Sequence, residues 1–225
     1  MKKTLVLALT AFLCASGSAG AKRPAFVSRI DNPWFPLKPG TVLVYRGVRD
    51  GKPARDVVTV TARTRPIDGV RCTEVDDRLY LKGLLAERTK DWYAQDAKGN
   101  VWYFGEATTE LDKTGHVKSR EGSWTSGVDG AQAGILMPGR PRVGPSYRQE
   151  YYKGHAEDHF RVLTLSATVR VPAVSSTHAL LTKEWTPLEP GVIDHKFYVR
   201  GIGSVKEEAV KGGNERLVLV QVRRG

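Results

Sequence analysis

The chain has 225 residues, of which 40% are hydrophobic and 26% are charged, and its formal net charge is +11 at pH 7. Basic and acidic residues are interspersed, and the densest basic clusters are pairs such as Arg223-Arg224. The charge therefore predicts a solvated basic surface and argues against a protein that binds nucleic acid.

The N-terminus has the layout of a secretory signal peptide. Two lysines at positions 2 and 3 precede an apolar stretch, Leu5–Leu13, that is too short to span a bilayer, and Ser16–Ala21 is a run of small residues. Cleavage after Ala21 would leave Lys22 as the first residue of the processed protein. We predict a signal peptide at residues 1–21, a single β domain at residues 22–225, and export to the periplasm or out of the cell.

The two cysteines bear on the type of signal and on disulfides. Cys14 lies near the end of the apolar run, which leaves a lipoprotein signal as an alternative, but the bulky pair Phe12-Leu13 before it fits a lipidation site poorly. Cys72 is the remaining cysteine, so an internal disulfide is excluded in the processed chain. It follows Val70 in a β-like run and is expected to be buried.

The rest of the chain consists of short runs rich in Val, Thr, Tyr, Trp and Phe, separated by Gly, Asp, Asn and Pro. No apolar stretch approaches the length of a membrane helix, so no transmembrane segment is expected after cleavage. The predicted strands are Thr41–Val48, Asp56–Arg63, Val70–Tyr80, Leu84–Tyr93, Val101–Gly105, His116–Trp124, Tyr147–Lys153, Ala156–Leu165, Thr168–Val171, Ala179–Thr186, Ile193–Val199, Ser204–Ala209 and Glu215–Val222.

The connections between these strands predict an antiparallel meander. Pairs such as Asp50-Gly51, Asp68-Gly69 and Lys82-Gly83 tolerate positive φ, and the intervals are too short for parallel crossovers. The fold class is therefore all-β and mainly antiparallel, as a barrel or strongly curved half-barrel. At most one or two short helices are expected, at Leu84–Lys90 or near Pro24–Ile30.

One hairpin is defined most clearly, between residues 91 and 104. Asp96 can accept hydrogen bonds from the turn and Gly99 can take the left-handed conformation, which would place Trp92 opposite Tyr103 and Tyr93 opposite Trp102. Adjacent aromatic residues point to opposite faces of a strand, so both faces of this hairpin are expected to carry large rings.

The segment Ser126–Ser146 differs from the rest because it contains five glycines and three prolines. It predicts an ordered loop packed across a sheet face or a barrel mouth. Ile135, Leu136 and Met137 are the residues that such a loop could bury.

A cavity-binding protein is the preferred functional interpretation. A strongly curved antiparallel sheet can enclose a small apolar molecule or a lipid. The expected cover is the apolar triplet that ends at Met137. The side chains predicted to line or cover the ligand are Trp92, Trp102, Trp124, Trp185 and Met137.

A metal-binding protein or metal-dependent enzyme is the alternative. On a strand, His155, Glu157 and His159 would share one face, and two imidazoles with a carboxylate suit a divalent transition metal. His195 could supply a fourth ligand if its strand lies alongside.

Enzymatic chemistry has little other support in the sequence. The chain contains no nucleophile-elbow, zinc-protease, Cys-x-x-Cys or phosphate-loop motif. Glu184 and Glu189 flank a Trp-Thr-Pro-Leu segment and are the nearest candidates for a pair of acid/base carboxylates. We therefore prefer a non-enzymatic role.

Four segments carry a resemblance to other proteins. Asp31–Gly40, Asp91–Glu106, Tyr147–Asp158 and Lys183–Pro190 resemble segments of a group of exported, β-rich bacterial proteins that has no established function. The meander that ends in Tyr198–Val205 is similar, at the level of the fold, to exported half-barrels such as the periplasmic lipoprotein carrier. The resemblance implies export and a curved sheet, and it assigns no activity.

Overall fold

The structure, a computed structural model, describes residues 24–224. All regular elements in this range are β-strands, which confirms the all-β fold class, and neither Pro24–Ile30 nor Leu84–Lys90 is helical. Over the described range there is accordingly no helix that could cross a membrane. The predicted signal peptide and Cys14 lie outside the described residues.

Sixteen strands follow one another, and tight turns join many of them. The predicted turns at residues 50–51, 68–69 and 82–83 each contain two consecutive residues with positive φ, as two-residue hairpin turns require. The strands are β1 (Phe26–Val27), β2 (Val42–Arg49), β3 (Lys52–Ile67), β4 (Val70–Leu81), β5 (Leu84–Asp96), β6 (Val101–Leu111), β7 (Val117–Ser119), β8 (Trp124–Thr125), β9 (Gln132–Met137), β10 (Ser146–Arg148), β11 (Glu150–Tyr151), β12 (His159–Val171), β13 (Val174–Trp185), β14 (Ile193–Val199), β15 (Gly203–Lys211) and β16 (Arg216–Arg223).

Two antiparallel meanders form the sheet. The first runs from β2 to β6 and continues with β9, and the second runs from β12 to β16. The two meanders meet at two places, which we call seams. At one seam β16 pairs with β2. At the other, the segment 146–151 joins the meanders, because its strand β10 pairs with β12 and its strand β11 pairs with β9. The sheet is therefore nearly closed into a barrel.

Glycine stands at both seams because the backbones approach closely there. A Cβ atom on Gly47 would collide with the carbonyl oxygen of Arg216 on β16, and a Cβ atom on Gly134 would collide with that of Arg148 on β10. Both positions therefore exclude any residue with a side chain unless the strands move apart.

Several predicted strand boundaries were wrong. The segment Ser126–Ser146, predicted as a loop, contains β9, which pairs with β6 and helps to close the barrel. The predicted strand His116–Trp124 is interrupted and forms only the short β7 and β8. The two predicted strands between Ala156 and Val171 are one strand, β12, whose pairing with β13 is interrupted by bulges rather than by a turn.

The aromatic hairpin forms as predicted at its turn but in a different register. Asp96 accepts hydrogen bonds from the backbone N–H groups of Lys98 and Asn100, both at 2.9 Å, and Gly99 has a φ of 81°. Tyr93 lies opposite Tyr103, not opposite Trp102, because five residues lie between Gln95 and Val101, the innermost pair of β5 and β6. A bulge between Trp92 and Tyr93 shifts the register again beyond this pair.

Both faces of the hairpin carry large rings, as predicted. Tyr93 and Tyr103 stack with ring centroids 4.8 Å apart in the main apolar cluster. Trp92 and Phe104 belong to a separate cluster on the opposite face of the sheet, which Phe26 of β1 covers.

Residues 30–40, which we call the plug, fill one end of the barrel. Ile30, Trp34 and Leu37 belong to the main apolar cluster together with residues from both meanders. Asn32 is buried, and its Nδ2 donates to the carbonyl oxygens of Gly99 at 2.8 Å and Pro138 at 3.0 Å. The plug is thereby tied to the turn after β5 and to the end of β9.

A second set of contacts fixes the same segment. The side-chain oxygen of Gln95 accepts from the backbone N–H of Asp31 at 2.9 Å and of Asn32 at 2.8 Å, and its Nε2 donates to Asp31 at 2.7 Å. On the far side, the backbone N–H of Gly201 donates to Pro33 at 2.8 Å, and Arg200 lies over the Trp34 ring. The plug therefore connects the two meanders.

The interior has two apolar clusters with a polar layer between them. On β3, Ala54 belongs to one cluster and Val60 to the other, and Asp56 lies between them on the same face. Asp77 has the corresponding position on β4, between Val75 and Leu79. Ionisable side chains thus enter the barrel at mid-height.

The Asn32 contacts give a test of the plug. Asn32→Ala should lower the free energy of unfolding by about 2–4 kcal/mol, because it leaves two buried carbonyl oxygens and a backbone N–H without partners. Urea denaturation followed by tryptophan fluorescence measures this change. The exposed Asn214 is the control, and a loss for Asn32→Ala no larger than that for Asn214→Ala would contradict the structural role.

Candidate functional site

A cavity of about 190 Å³ lies inside the barrel, next to the plug. The plug contributes Phe35, Pro36 and Leu37 to its wall, and β9 contributes Leu136. The remaining apolar lining residues are Leu43, Val58, Val60, Val75, Ile202 and Leu217.

The other part of the cavity wall is the polar layer. Its ionisable groups come from five different strands because each occupies an inward-facing position in the alternation of its strand. They are Asp56 on β3, Asp77 on β4, Asp91 on β5, Lys196 on β14 and Glu207 on β15, accompanied by the hydroxyls of Tyr45, Tyr93 and Tyr198.

Lys196 is the cation of this layer, and two carboxylates already compensate its charge. Its Nζ lies 3.1 Å from Glu184 and 3.3 Å from Glu207. Burial lowers the pKa of Lys196, but the two carboxylates outweigh burial and raise the pKa well above its ordinary value. Lys196 is therefore charged and leaves no positive charge for the aspartates.

The three aspartates of the polar layer have no ion pair within the described part of the chain. Asp91 accepts a hydrogen bond from the Tyr103 hydroxyl at 2.6 Å. The carboxyl groups of Asp56 and Asp77 are neighbours, and the buried Oδ1 of Asp56 has no hydrogen-bond partner among the described residues. Such an atom is rare in folded proteins and calls for an explanation.

Burial shifts the titration of these carboxyl groups. It raises the pKa of Asp77 well above its ordinary value, and the neighbouring Asp56 raises it further. Burial likewise raises the pKa of Asp91 to about 7 and that of Glu207 to about 7. At neutral pH the layer therefore holds a mixture of protonated and ionised carboxyl groups.

The five residues predicted to bind the ligand do not line this cavity. Trp102 belongs to the cluster on the opposite face of the sheet, and Met137 is fully buried in the core. Trp185 is partly exposed and stacks on His159. Trp92 and Trp124 line a separate pocket of about 270 Å³.

The histidine cluster predicted for a metal is not assembled on one strand. β12 begins only at His159, so His155 and Glu157 lie in the preceding turn, where His155 is 3.1 Å from Glu121 and Glu157 accepts from the backbone of Gly154. His195 is on β14, which β13 separates from β12. Within residues 24–224, no group of three or more His, Cys, Asp or Glu residues is arranged to hold a metal ion.

Glu184, Glu189 and Cys72 are the remaining residues that the sequence singled out. Glu184 is buried and bonded to Thr182, Tyr198 and Lys196, whereas Glu189 is exposed beyond the end of β13. The two glutamates therefore lie in different environments. Cys72 is buried as expected, and burial raises its pKa to about 12, so its thiol is not ionised at neutral pH.

Sequence reasoning missed the aspartates of the polar layer, although a signal for them exists. In β3 every second residue from 54 to 60 reads Ala-Asp-Val-Val, and in β4 every second residue from 75 to 79 reads Val-Asp-Leu. A single acid inside an otherwise apolar alternation marks an inward-facing charge.

Comparison with solved structures supports the fold. An exported protein with a YmcC-like fold from Bacteroides fragilis superposes with a TM-score of 0.50 at 14% identity, over 85% of this chain and 99% of its own. A lipoprotein from Parabacteroides distasonis has a TM-score of 0.44 at 11% identity over the same shares, which is too distant to support an argument. No protein-family model and no curated protein matches the chain.

The raised pKa values predict how stability depends on pH. The folded state binds protons that the unfolded chain releases above about pH 4, so stability should fall as pH rises from about 4 towards the folded pKa of about 7. In Asp91→Asn the amide oxygen can still accept the hydrogen bond from Tyr103, but the group no longer titrates. The free energy of unfolding should therefore fall by roughly 2–4 kcal/mol less than in the wild type over this pH range. Thermal melts across that range measure it.

The exposed Asp129 supplies the control for this experiment. Its backbone is left-handed, with a φ of 50°, which asparagine tolerates, so Asp129→Asn should follow the wild-type pH profile. A wild-type melting temperature that does not fall with rising pH would contradict the assignment of buried acids.

Proposed function

We propose that this chain is an exported, non-enzymatic binding protein that holds a small, partly apolar molecule in the interior cavity. The observation that carries the proposal is a cavity with an apolar wall on one side and the polar layer on the other. Ligand sites typically combine mostly apolar walls with a few convergent polar groups.

The size of the cavity limits the ligand. Engineered cavities of roughly 150 Å³ bind benzene, so about 190 Å³ suits a molecule with one ring or a short chain. A whole lipid would not fit, and the ligand class is therefore narrower than the sequence interpretation allowed. The plug would contact the ligand directly through Phe35 and Leu37.

Export is supported by the layout of the N-terminus. Lysines, a short apolar stretch and a run of small residues precede the predicted cleavage site at Ala21. The Bacteroides fragilis protein of similar fold is also described as exported, which agrees with this part of the proposal.

Expression in a Gram-negative host tests export. The protein should appear in the periplasmic fraction or the medium, and intact-mass analysis should give a chain that begins at Lys22. A lipid-modified N-terminus at Cys14, or a chain that retains Met1, would contradict the proposed processing.

A cavity-filling substitution tests binding. Val58 lines the cavity, whereas its neighbour Val57 points to the other face of β3. A fluorobenzene titration followed by ¹⁹F NMR should show saturable binding to the wild type and to Val57→Phe, and at least a tenfold weaker response with Val58→Phe. No saturable binding to the wild type, or equal binding to both variants, would contradict a ligand site in this cavity.

A further inference from the structure

We propose that the ligand of the interior cavity is a small protonated amine, whose ammonium group lies against Asp56 and Asp77 and whose apolar part lies against the plug. This inference rests on the proposed binding function and specifies its ligand. Three independent features of the cavity support it.

The first feature is the unpartnered oxygen of Asp56. Oδ1 is buried and has no hydrogen-bond partner among the described residues, and the carboxyl group of Asp77 lies next to that of Asp56. A carboxylate accepts hydrogen bonds, so the group that completes it must be a donor. An ammonium group supplies up to three donors and can replace the proton that the two carboxyls share, which then leaves to solvent.

The second feature is the balance of charge around the cavity. Asp56, Asp77 and Asp91 line it without an ion pair among the described residues, while Lys196 is already bonded to two glutamates. An incoming cation would therefore meet uncompensated acids, and an incoming anion would meet repulsion without a free cation.

The third feature separates an organic cation from a metal ion. Within the described residues no group of metal-ligand side chains has the arrangement of a metal site. The cavity wall instead carries aromatic rings, from Phe35, Tyr45, Tyr93 and Tyr198. Rings and carboxylates together suit an ammonium group on an apolar body, through cation–π attraction and hydrogen bonds.

The test compares two ligands of the same shape, 4-fluorobenzylamine and the neutral 4-fluorobenzyl alcohol, with the whole processed protein near neutral pH. The amine should bind the wild type at least tenfold more tightly than the alcohol, as measured by ¹⁹F NMR titration. Asp56→Asn should weaken amine binding about tenfold more than it weakens alcohol binding. The exposed Asp129→Asn should behave as the wild type.

The outcomes distinguish this inference from the proposed function. If the alcohol binds as well as the amine, the cavity function stands and the amine inference is overturned. If neither ligand binds, the amine inference is overturned, and the fluorobenzene titration decides whether the cavity function stands. If amine binding is as tight in Asp56→Asn as in the wild type, the inference fails. If Asp56→Asn does not fold, Asp77→Asn is measured in its place and judged by the same criterion. The comparison of the two ligands in the wild type needs neither variant.

Discussion

The buried contacts of Asn32 and Gln95 are the constraint on which the interior depends. A twelve-membered path of hydrogen-bonded strands, with β10 and β11 counted as one segment, encloses more space than strand side chains fill. The plug occupies one end of that space, and it can do so because two amide side chains satisfy backbone groups that would otherwise be buried without partners. The position of the plug then determines where the cavity lies.

Charge is distributed unequally between the surface and the interior. The sequence is strongly basic overall, yet the ionisable groups of the cavity wall are four acids and one lysine. On the outer face, by contrast, Arg78 of β4 lies directly opposite Arg88 of β5, and Arg78 forms an ion pair with Asp76 at 2.9 Å. The net charge of the sequence therefore reflects the solvent-facing surface, whereas acidic side chains outnumber basic ones in the cavity wall.

The fold class and most strands could be predicted from the sequence, because the turns contain residues that tolerate positive φ, such as Asp50 and Gly51. The register was predicted wrongly because the bulge beside Trp92 shifts the pairing, and the mark of this bulge in the sequence is Gly105, which pairs with Trp92 and has a φ of 145°. The candidate cavity was not predicted because large aromatic residues were taken as the ligand contacts, whereas Trp102 packs on the opposite face of the sheet. Which strands converge on a cavity is decided by barrel closure, and that property involves residues distant along the chain.

The pairing of β16 with β2 has a consequence for how the molecule reaches its native state. The first long strand keeps one bare edge until residues 216–223 are available to cover it, so the ring of backbone hydrogen bonds is completed last by the most distant partners. Such non-local pairing makes folding slow, and an uncovered edge can pair with another chain in the meantime. Protection of that edge until the last strand is available is thus a requirement imposed by topology.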